Sequence, residues 1–394
     1  MTDPGSPGGP IAEAVAGAER LLSRRAGASV RLADPEDLGG SGHSVVARAR
    51  MAQNPFSSRR SVVVKQYLGD LEPFDPFRYE VASCQLFTAL PADVRPSPMI
   101  IAHDPAQRLL VLEDLGRSST LADKLFGPDR VTAQRGLLSW ARALGRMQAS
   151  TAGREDDFGA LLRRLGEKVR RDPISDEARA ALAGLPEMLL EVLGVELPPS
   201  AELEARATAR LLGGTRFRAF SPADTCPDNN LVTSLGVRFV DFEWGCFRDV
   251  VLDAAYFRVP FPACPTSFAL PPGMAAEMQA AWRTEVAQVW PELDDSELLE
   301  SRLTDGHVLW VWWCTFTLLP RLLERDGPIG RDTGRSPRIS SALRHYWRGL
   351  GAAAAVTDRP ATAELAERVA SALDERYPDA APDLPVFPAF RTAV

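Results

Sequence analysis

The chain changes texture once, near Gly116, and that change constrains its fold more than any single residue does. Before it, short alternating or β-branched runs recur at Ala28–Leu32, Ser44–Arg50, Ser61–Tyr67, Met99–His103 and Arg108–Glu113, and these read as strands. Phe77–Leu90 interrupts them with Val81, Cys84, Phe87 and Leu90 at helical spacing. Three strands, a helix and two strands predict a small antiparallel sheet with one helix packed on it. An amphipathic helix over 11–25 precedes the sheet. After Gly116 helical patterns take over, at 131–150, 156–171, 176–192, 200–212, 248–258, 272–290, 295–325, 337–355 and 361–376. A β-rich island at 216–242 sits among them. The expectation is an α+β fold of two lobes, a small antiparallel-sheet N-lobe over 11–115 and a large, mostly helical C-lobe over 116–394. Residues 1–10 are polar and Gly/Pro-rich and read as a disordered tail without a signal-sequence core.

Composition removes several classes of function. Of the 394 residues, 45% are hydrophobic and 25% charged, as in a globular protein. A net charge of −7 argues against nucleic acid as partner, because phosphate backbones select basic surfaces. The most apolar stretch, Val308–Leu319, is far shorter than a bilayer span, so no membrane partner is expected. Cys84, Cys226, Cys246, Cys264 and Cys314 are odd in number, far apart and never in a CxxC pair. That spacing suggests neither a zinc site nor a disulfide framework, and scattered free thiols suit a reducing cytoplasm.

The island holds the residues with chemistry. Asp224 and Asn229 stand five apart in Phe220–Val232, where Pro227 keeps the loop from becoming helical. Twelve residues after Asn229, Phe239-Val240-Asp241-Phe242-Glu243 reads as a strand ending in carboxylates, with Ser234-Leu235-Gly236 as the turn before it. Phosphoryl transfer needs such groups. Metal ions must hold and neutralise phosphate oxygens, and a carboxylate must orient the attacking hydroxyl. Mg²⁺ takes oxygen ligands from one or two carboxylates and keeps waters. Asp241 and Asn229 suit the metal, and Asp224 suits the hydroxyl.

Upstream, Val62-Val63-Val64-Lys65-Gln66-Tyr67 is an apolar strand with one central lysine, and Glu80 follows fifteen residues later on the predicted helix. Leu38-Gly39-Gly40-Ser41-Gly42-His43-Ser44 joins the first two strands. Leu112-Glu113-Asp114-Leu115-Gly116 ends the fifth.

Taken together, residues 28–258 resemble the aminoglycoside phosphotransferase and choline kinase-like superfamily, which has the protein-kinase-like fold. The family's loop runs His-Gly-Asp, four residues, then Asn; here it is Pro222-Ala223-Asp224, Thr-Cys-Pro-Asp, Asn229. Its hydrophobic-Asp-aromatic-Glu strand appears as Val240-Asp241-Phe242-Glu243, and its later Asp-Leu-Ala as Leu252-Asp253-Ala254. The resemblance implies an ATP-dependent phosphotransferase using Mg²⁺ and acting on a hydroxyl of a small molecule. Asp224 would be catalytic, and Asn229 and Asp241 the metal ligands. Lys65, paired with Glu80, would contact the α and β phosphates. Gly40, Ser41 and Gly42 would cover the phosphates, and the hinge at Glu113 and Leu115 would receive the adenine. Asp253 would brace the catalytic loop. An aminoglycoside-like or other natural-product acceptor, and with it antibiotic resistance, is the leading expectation; choline, homoserine, macrolide and sugar acceptors stay open. Pro222 stands where the family has His, and Cys226 where aminoglycoside kinases have a second one. A nucleotide-binding pseudokinase with a regulatory role is therefore the alternative.

Trp310, Trp312, Trp313 and Phe316 crowd one predicted helix, preceded by Asp294, Asp295, Glu297, Glu300 and Asp305. Core packing explains the aromatics and a solvated helix start the acids; the functional reading is an aromatic wall beside an acidic, amine-binding face.

Overall fold

The computed structural model describes residues 9–40, 42–53, 59–69, 75–168, 172–262, 264–265, 267–330, 336–378 and 384–391. The chain forms two compact units. One holds residues up to 118 with 154–169 and 238–245; the other holds 119–153, 170–237 and 246–394.

The first unit is built on helix α1 (Pro10–Ala26) and strands β1 (Arg31–Gly39), β2 (Ser44–Gln53) and β3 (Ser61–Tyr67), then α2 (Pro76–Thr88), β4 (Ile100–Asp104) and β5 (Leu109–Glu113). The five strands form one antiparallel sheet in the order β1-β2-β3-β5-β4. The predicted three strands, helix and two strands are all present. Strand alternation sorts the side chains of β3. Val62 and Val64 join Ala14, Ala18 and Leu22 of α1 and Leu109 and Val111 of β5 in one apolar cluster. Lys65 and Tyr67, of the opposite parity, meet Glu80 of α2 instead. β1 differs from its expectation at both ends. It runs through Asp34 and Pro35, beyond the expected end at Leu32, because Asp34 adopts φ 52° and the register with β2 shifts between Ala33 and Glu36. A bulge thus carries the strand past the proline.

The second unit is mostly helical. It begins with β6 (Ser119–Thr120), α3 (Leu121–Phe126) and α4 (Arg130–Thr151). The chain next places α5 (Glu155–Arg164) in the first unit and continues with α6 (Ser175–Leu193) and α7 (Pro199–Ala207). The island supplies β7 (Arg218–Ser221), β8 (Asn230–Thr233), β9 (Gly236–Phe239) and β10 (Cys246–Asp249). The last of these was expected to open a helix. It pairs with β7 instead, and the Asp249 carboxylate then caps α8 (Val250–Ala254) by accepting from the Val251 amide at 3.1 Å. Helices α9 (Met274–Val286), α10 (Ser296–Glu324), α11 (Ile339–Val356) and α12 (Pro360–Arg376) complete the unit. Among the described residues no helix is long and apolar enough to cross a membrane.

The long α10 is buried against α6, α8 and α11. His307 lies at its centre, 2% exposed, with no hydrogen-bond partner for either ring nitrogen among the described residues. Burial lowers its pKa from 6.5 to about 3, helped by the nearby Arg258 and His345. Because the folded pKa lies below the unfolded one, the unfolded chain takes the proton first. The contribution of His307 to stability is therefore full above about pH 6.5 and is lost as pH falls towards 3. In His307→Leu that share of the acid destabilisation should vanish, seen as a flatter curve of unfolding midpoint against pH between those limits. An unchanged slope would show that other groups carry it.

Candidate active site

Lysine in the middle of an apolar strand is unfavourable unless its charge is matched. Lys65 is matched twice. Its Nζ lies 2.5 Å from Glu80 on α2 and 2.8 Å from Asp241, a residue 176 positions later in the chain. Lys65 and Glu80 are almost fully buried, whereas the Asp241 side chain is 37% exposed. Burial alone would discharge the lysine, but the two carboxylates outweigh it and hold the ammonium above its ordinary pKa. Burial likewise pushes the Glu80 carboxyl up, only partly opposed by Lys65. The Tyr67 hydroxyl donates to Glu80, and its ring lies 4.8 Å below the ammonium.

Besides the Lys65 pair, backbone and ring contacts hold the segment carrying Asp241 in the first unit. The Phe239 amide donates to the Pro96 carbonyl at 2.8 Å, and Phe242 packs its ring 5.1 Å from that of Phe87 on α2. This stretch was expected to be a strand through Glu243. The strand ends at Phe239, and Asp241 adopts φ 66°, which turns its carboxylate towards the lysine. Left-handed backbone at a non-glycine residue is strained and marks a position the surroundings enforce.

Gly40 and Gly42 fall between β1 and β2 as expected; Ser41 lies outside the described residues. A side chain at Gly40 would place its Cβ 2.3 Å from the Ser44 carbonyl oxygen, so only glycine fits there. Glu113 ends β5, and its amide donates to the Met99 carbonyl at 2.9 Å. Leu115 follows Asp114, which accepts from Ser61, from Arg48 and from the Gly116 amide at 2.6–3.0 Å. Arg48 also donates to the Gly116 carbonyl at 2.9 Å. Sequence reading missed this fixing of the connection by Arg48, because only tertiary pairing brings β2 beside residues 114–116.

In the second unit, the loop from Pro222 to Asn229 hangs from the end of β7. Asp224 is exposed, and its Oδ1 accepts from the Cys226 amide at 3.0 Å, closing an Asx turn. Asn229 is half-buried and ends a 3-10 turn begun at Pro227. The loop is held from below. Asp253, fully buried, accepts from Ser221 at 2.8 Å, from Gln148 at 3.0 Å and from Arg248 Nε at 3.0 Å. Ser221 in turn accepts from the Ala223 amide at 3.0 Å, and Tyr256 donates to the Ala223 carbonyl at 3.3 Å. Asn230, also buried, donates to the Thr225 and Cys226 carbonyls and accepts from the Trp140 indole at 3.1 Å. Ser221, Asn230, Arg248 and Tyr256 therefore support the loop where Pro222 offers no side-chain hydrogen bond. None was singled out from sequence; polar residues beside a catalytic-type loop were the available signal.

One expectation is corrected here. Cys226 and Cys264 form a disulfide across 38 residues, while Cys84, Cys246 and Cys314 are buried outside any disulfide. Distance along the chain hid the pairing; the fold brings Cys264 against the loop. The acids of the α10 region are engaged by the protein itself, and Asp305, expected at a solvated helix start, is instead buried. Asp295 caps α10, Asp294 pairs with Arg283, Glu300 with Arg258, and Asp305 with Arg210 and Arg359.

No family model matches the chain, and no curated protein is similar to it in sequence. Solved structures similar to it include a choline/ethanolamine kinase family protein from Mesorhizobium loti, at 14% identity and TM-score 0.46, covering 87% of this chain and 93% of that one. The choline kinase LicA from Streptococcus pneumoniae is similar at 15% identity and TM-score 0.44, covering 85% and 99%. Amicoumacin kinase hAmiN, solved with AMP-PNP, Ca²⁺ and Ami, is similar at 13% and 0.45, covering 80% and 87%.

A disulfide closing a loop of this length removes about 3–4 kcal/mol of unfolded-chain entropy. Reduction by a dithiol, or Cys264→Ser, should therefore lower the unfolding midpoint clearly, with the two changes non-additive. If the midpoint of the wild type is the same with and without reductant, the bridge contributes nothing to stability.

Proposed function

We propose that the protein is a kinase-like phosphotransferase that moves the terminal phosphate of ATP to a hydroxyl of a small molecule. The observation that carries this reading is the buried Lys65 ammonium clasped between Glu80 and Asp241. Structural ion pairs can be built from surface residues at far lower desolvation cost. A lysine held charged and nearly buried, beside a half-exposed carboxylate, suits a polyanion accompanied by a divalent cation.

The donor set fits Mg·ATP. Lys65 would hold the α and β phosphate oxygens, and Glu80 keeps its ammonium aimed. By residue type, Asp241 and Asn229 would be the oxygen ligands Mg²⁺ prefers. When bound, Mg·ATP supplies the phosphoryl group and the cation that neutralises its oxygens. The chain's own work is positioning. Gly40 and Gly42 allow backbone to approach the phosphates closely, and the backbone at Glu113 and Leu115 would take the adenine. Asp224 would accept a hydrogen bond from the acceptor hydroxyl and orient it. Its exposure leaves room for that partner, and the Asx turn to Cys226 engages one of its oxygens.

Acceptor-dependent release of ADP, with mass analysis of the product, tests the proposal. Asp224→Ala and Asp241→Asn should each lower kcat on the order of a hundredfold or more, with Asp241→Asn also shifting the Mg²⁺ dependence. Lys65→Ala should raise the KM for ATP, with stability followed in parallel because Glu80 is left buried and unpaired. ATP binding by the wild type without turnover above these variants would replace the enzyme with a nucleotide-binding regulator.

A further inference from the structure

The grip on Lys65 is completed by a residue to which the sequence pattern gave no role. Tyr67 follows the lysine by two positions on β3, so both side chains leave the same face of the sheet and meet Glu80. On α2, Phe77 and Glu80 are three apart and share the face turned towards Tyr67. Phe77 sets its ring at 79° to that of Tyr67, with centroids 6.4 Å apart, which limits how the phenol can turn. The Tyr67 hydroxyl reaches the same Oε2 oxygen of Glu80 that accepts from the Lys65 ammonium. The direction of that bond is fixed. Burial, with the neighbouring Glu80 and Asp241 carboxylates, pushes the phenol well above its ordinary pKa, so it stays protonated and donates.

The three side chains differ in rigidity. Lysine and glutamate lose much rotational freedom when they are ordered. Tyrosine has only two side-chain torsions, and this one is 3% exposed. It is therefore the rigid member of the trio, and it touches both others. Its hydroxyl bonds the carboxylate, and its ring lies 4.8 Å from the ammonium, close enough for a cation–π contact. Asp241 is the more exposed partner and has a second proposed duty, to the cation. Glu80 is then the partner that must keep the ammonium in place when that duty is taken up, and Tyr67 is what holds Glu80.

We propose that Tyr67 is a positioning residue for nucleotide binding: through the Glu80 oxygen and its own ring it holds the Lys65 ammonium where phosphates dock. The inference rests on the phosphate-binding role of Lys65 in the phosphotransfer reading. Because Tyr67 acts through Lys65, its influence is confined to phosphate-bearing ligands and vanishes when the lysine is absent.

Calorimetric titration with ATP, ADP and adenosine, each with Mg²⁺, supplies the test. Tyr67→Phe keeps the ring and removes the hydroxyl. It should weaken ATP and ADP binding about tenfold, as expected for losing a hydrogen bond to a charged group, and leave adenosine binding unchanged. Tyr67→Leu, which removes the ring as well, should weaken both phosphorylated ligands further. In a Lys65→Ala background Tyr67→Phe should weaken ATP binding no more than Lys65→Ala alone. Where turnover is measured, the change should fall on the KM for ATP rather than on kcat. Unfolding midpoints without nucleotide are followed in parallel. Equal losses for ATP and adenosine, additivity with Lys65→Ala, unchanged ATP affinity in Tyr67→Phe, or a Tyr67→Phe protein already unfolded at the titration temperature would make the tyrosine a core residue only and overturn the inference. Tyr67-dependent binding of ATP without transfer to any alcohol would sustain the inference and remove the phosphotransfer reading. Transfer with a wild-type KM for ATP in Tyr67→Phe would do the reverse, and a wild type that binds no ATP would overturn both.

Discussion

A charged ammonium buried in a β-sheet is stable only while its carboxylate partners stay in place, and this condition organises the first unit. Lys65 sits on the central strand, pinned between β2 and β5 by the ladder. Its partners come from a helix packed on the sheet and from a segment 176 residues away. Moving either partner would strand a charge in low dielectric, which is among the most destabilising events a fold can suffer. The docking of Phe239 on Pro96 and Phe242 on Phe87 thus serves the lysine as much as the core. The strained backbone at Asp241 is tolerated for the same reason.

The second unit repeats the logic with opposite sign. Here the buried charge at the centre is the Asp253 carboxylate, satisfied by Arg248, Ser221 and Gln148. From it a short relay through Ser221 fixes the Ala223 backbone, while Tyr256 holds the carbonyl of the same residue. Asn230 secures the loop's other end. With both ends fixed, an exposed Asp224 can be held in one orientation without being buried. The loop is thus held without any side-chain hydrogen bond from Pro222, since backbone groups on either side are bonded by other means.

Much of this was legible beforehand. The strand-helix-strand order and most helices of the larger unit follow from periodicity, which is local, and the pairing of Lys65 with Glu80 was implied by resemblance. What escaped was consistently nonlocal or conformational. β1 extends through Pro35 because a bulge, set by the partner strand, absorbs the proline. Cys246–Asp249 pairs as a strand with β7, although it borders a helix in sequence. The Cys226–Cys264 bridge joins residues 38 apart that no motif connects. The tryptophans of α10 divide between roles, Trp312 buried in the core and Trp310 and Trp313 lining a cavity beside Asp224.

By itself the sequence determined which chemistry the chain can offer: one lysine in an apolar strand, a glutamate a fixed step later, and Asp224, Asn229 and Asp241 at set intervals. Residue type and spacing are properties of the chain, so they can be read without coordinates. Tertiary structure alone decided which of these groups are charged neighbours, which loop ends are fixed, and that the cavity beside Asp224 is lined by aromatic rings. Those outcomes depend on burial and on pairings between distant segments. Desolvation, hydrogen-bond satisfaction and backbone strain exist only once the chain has closed on itself.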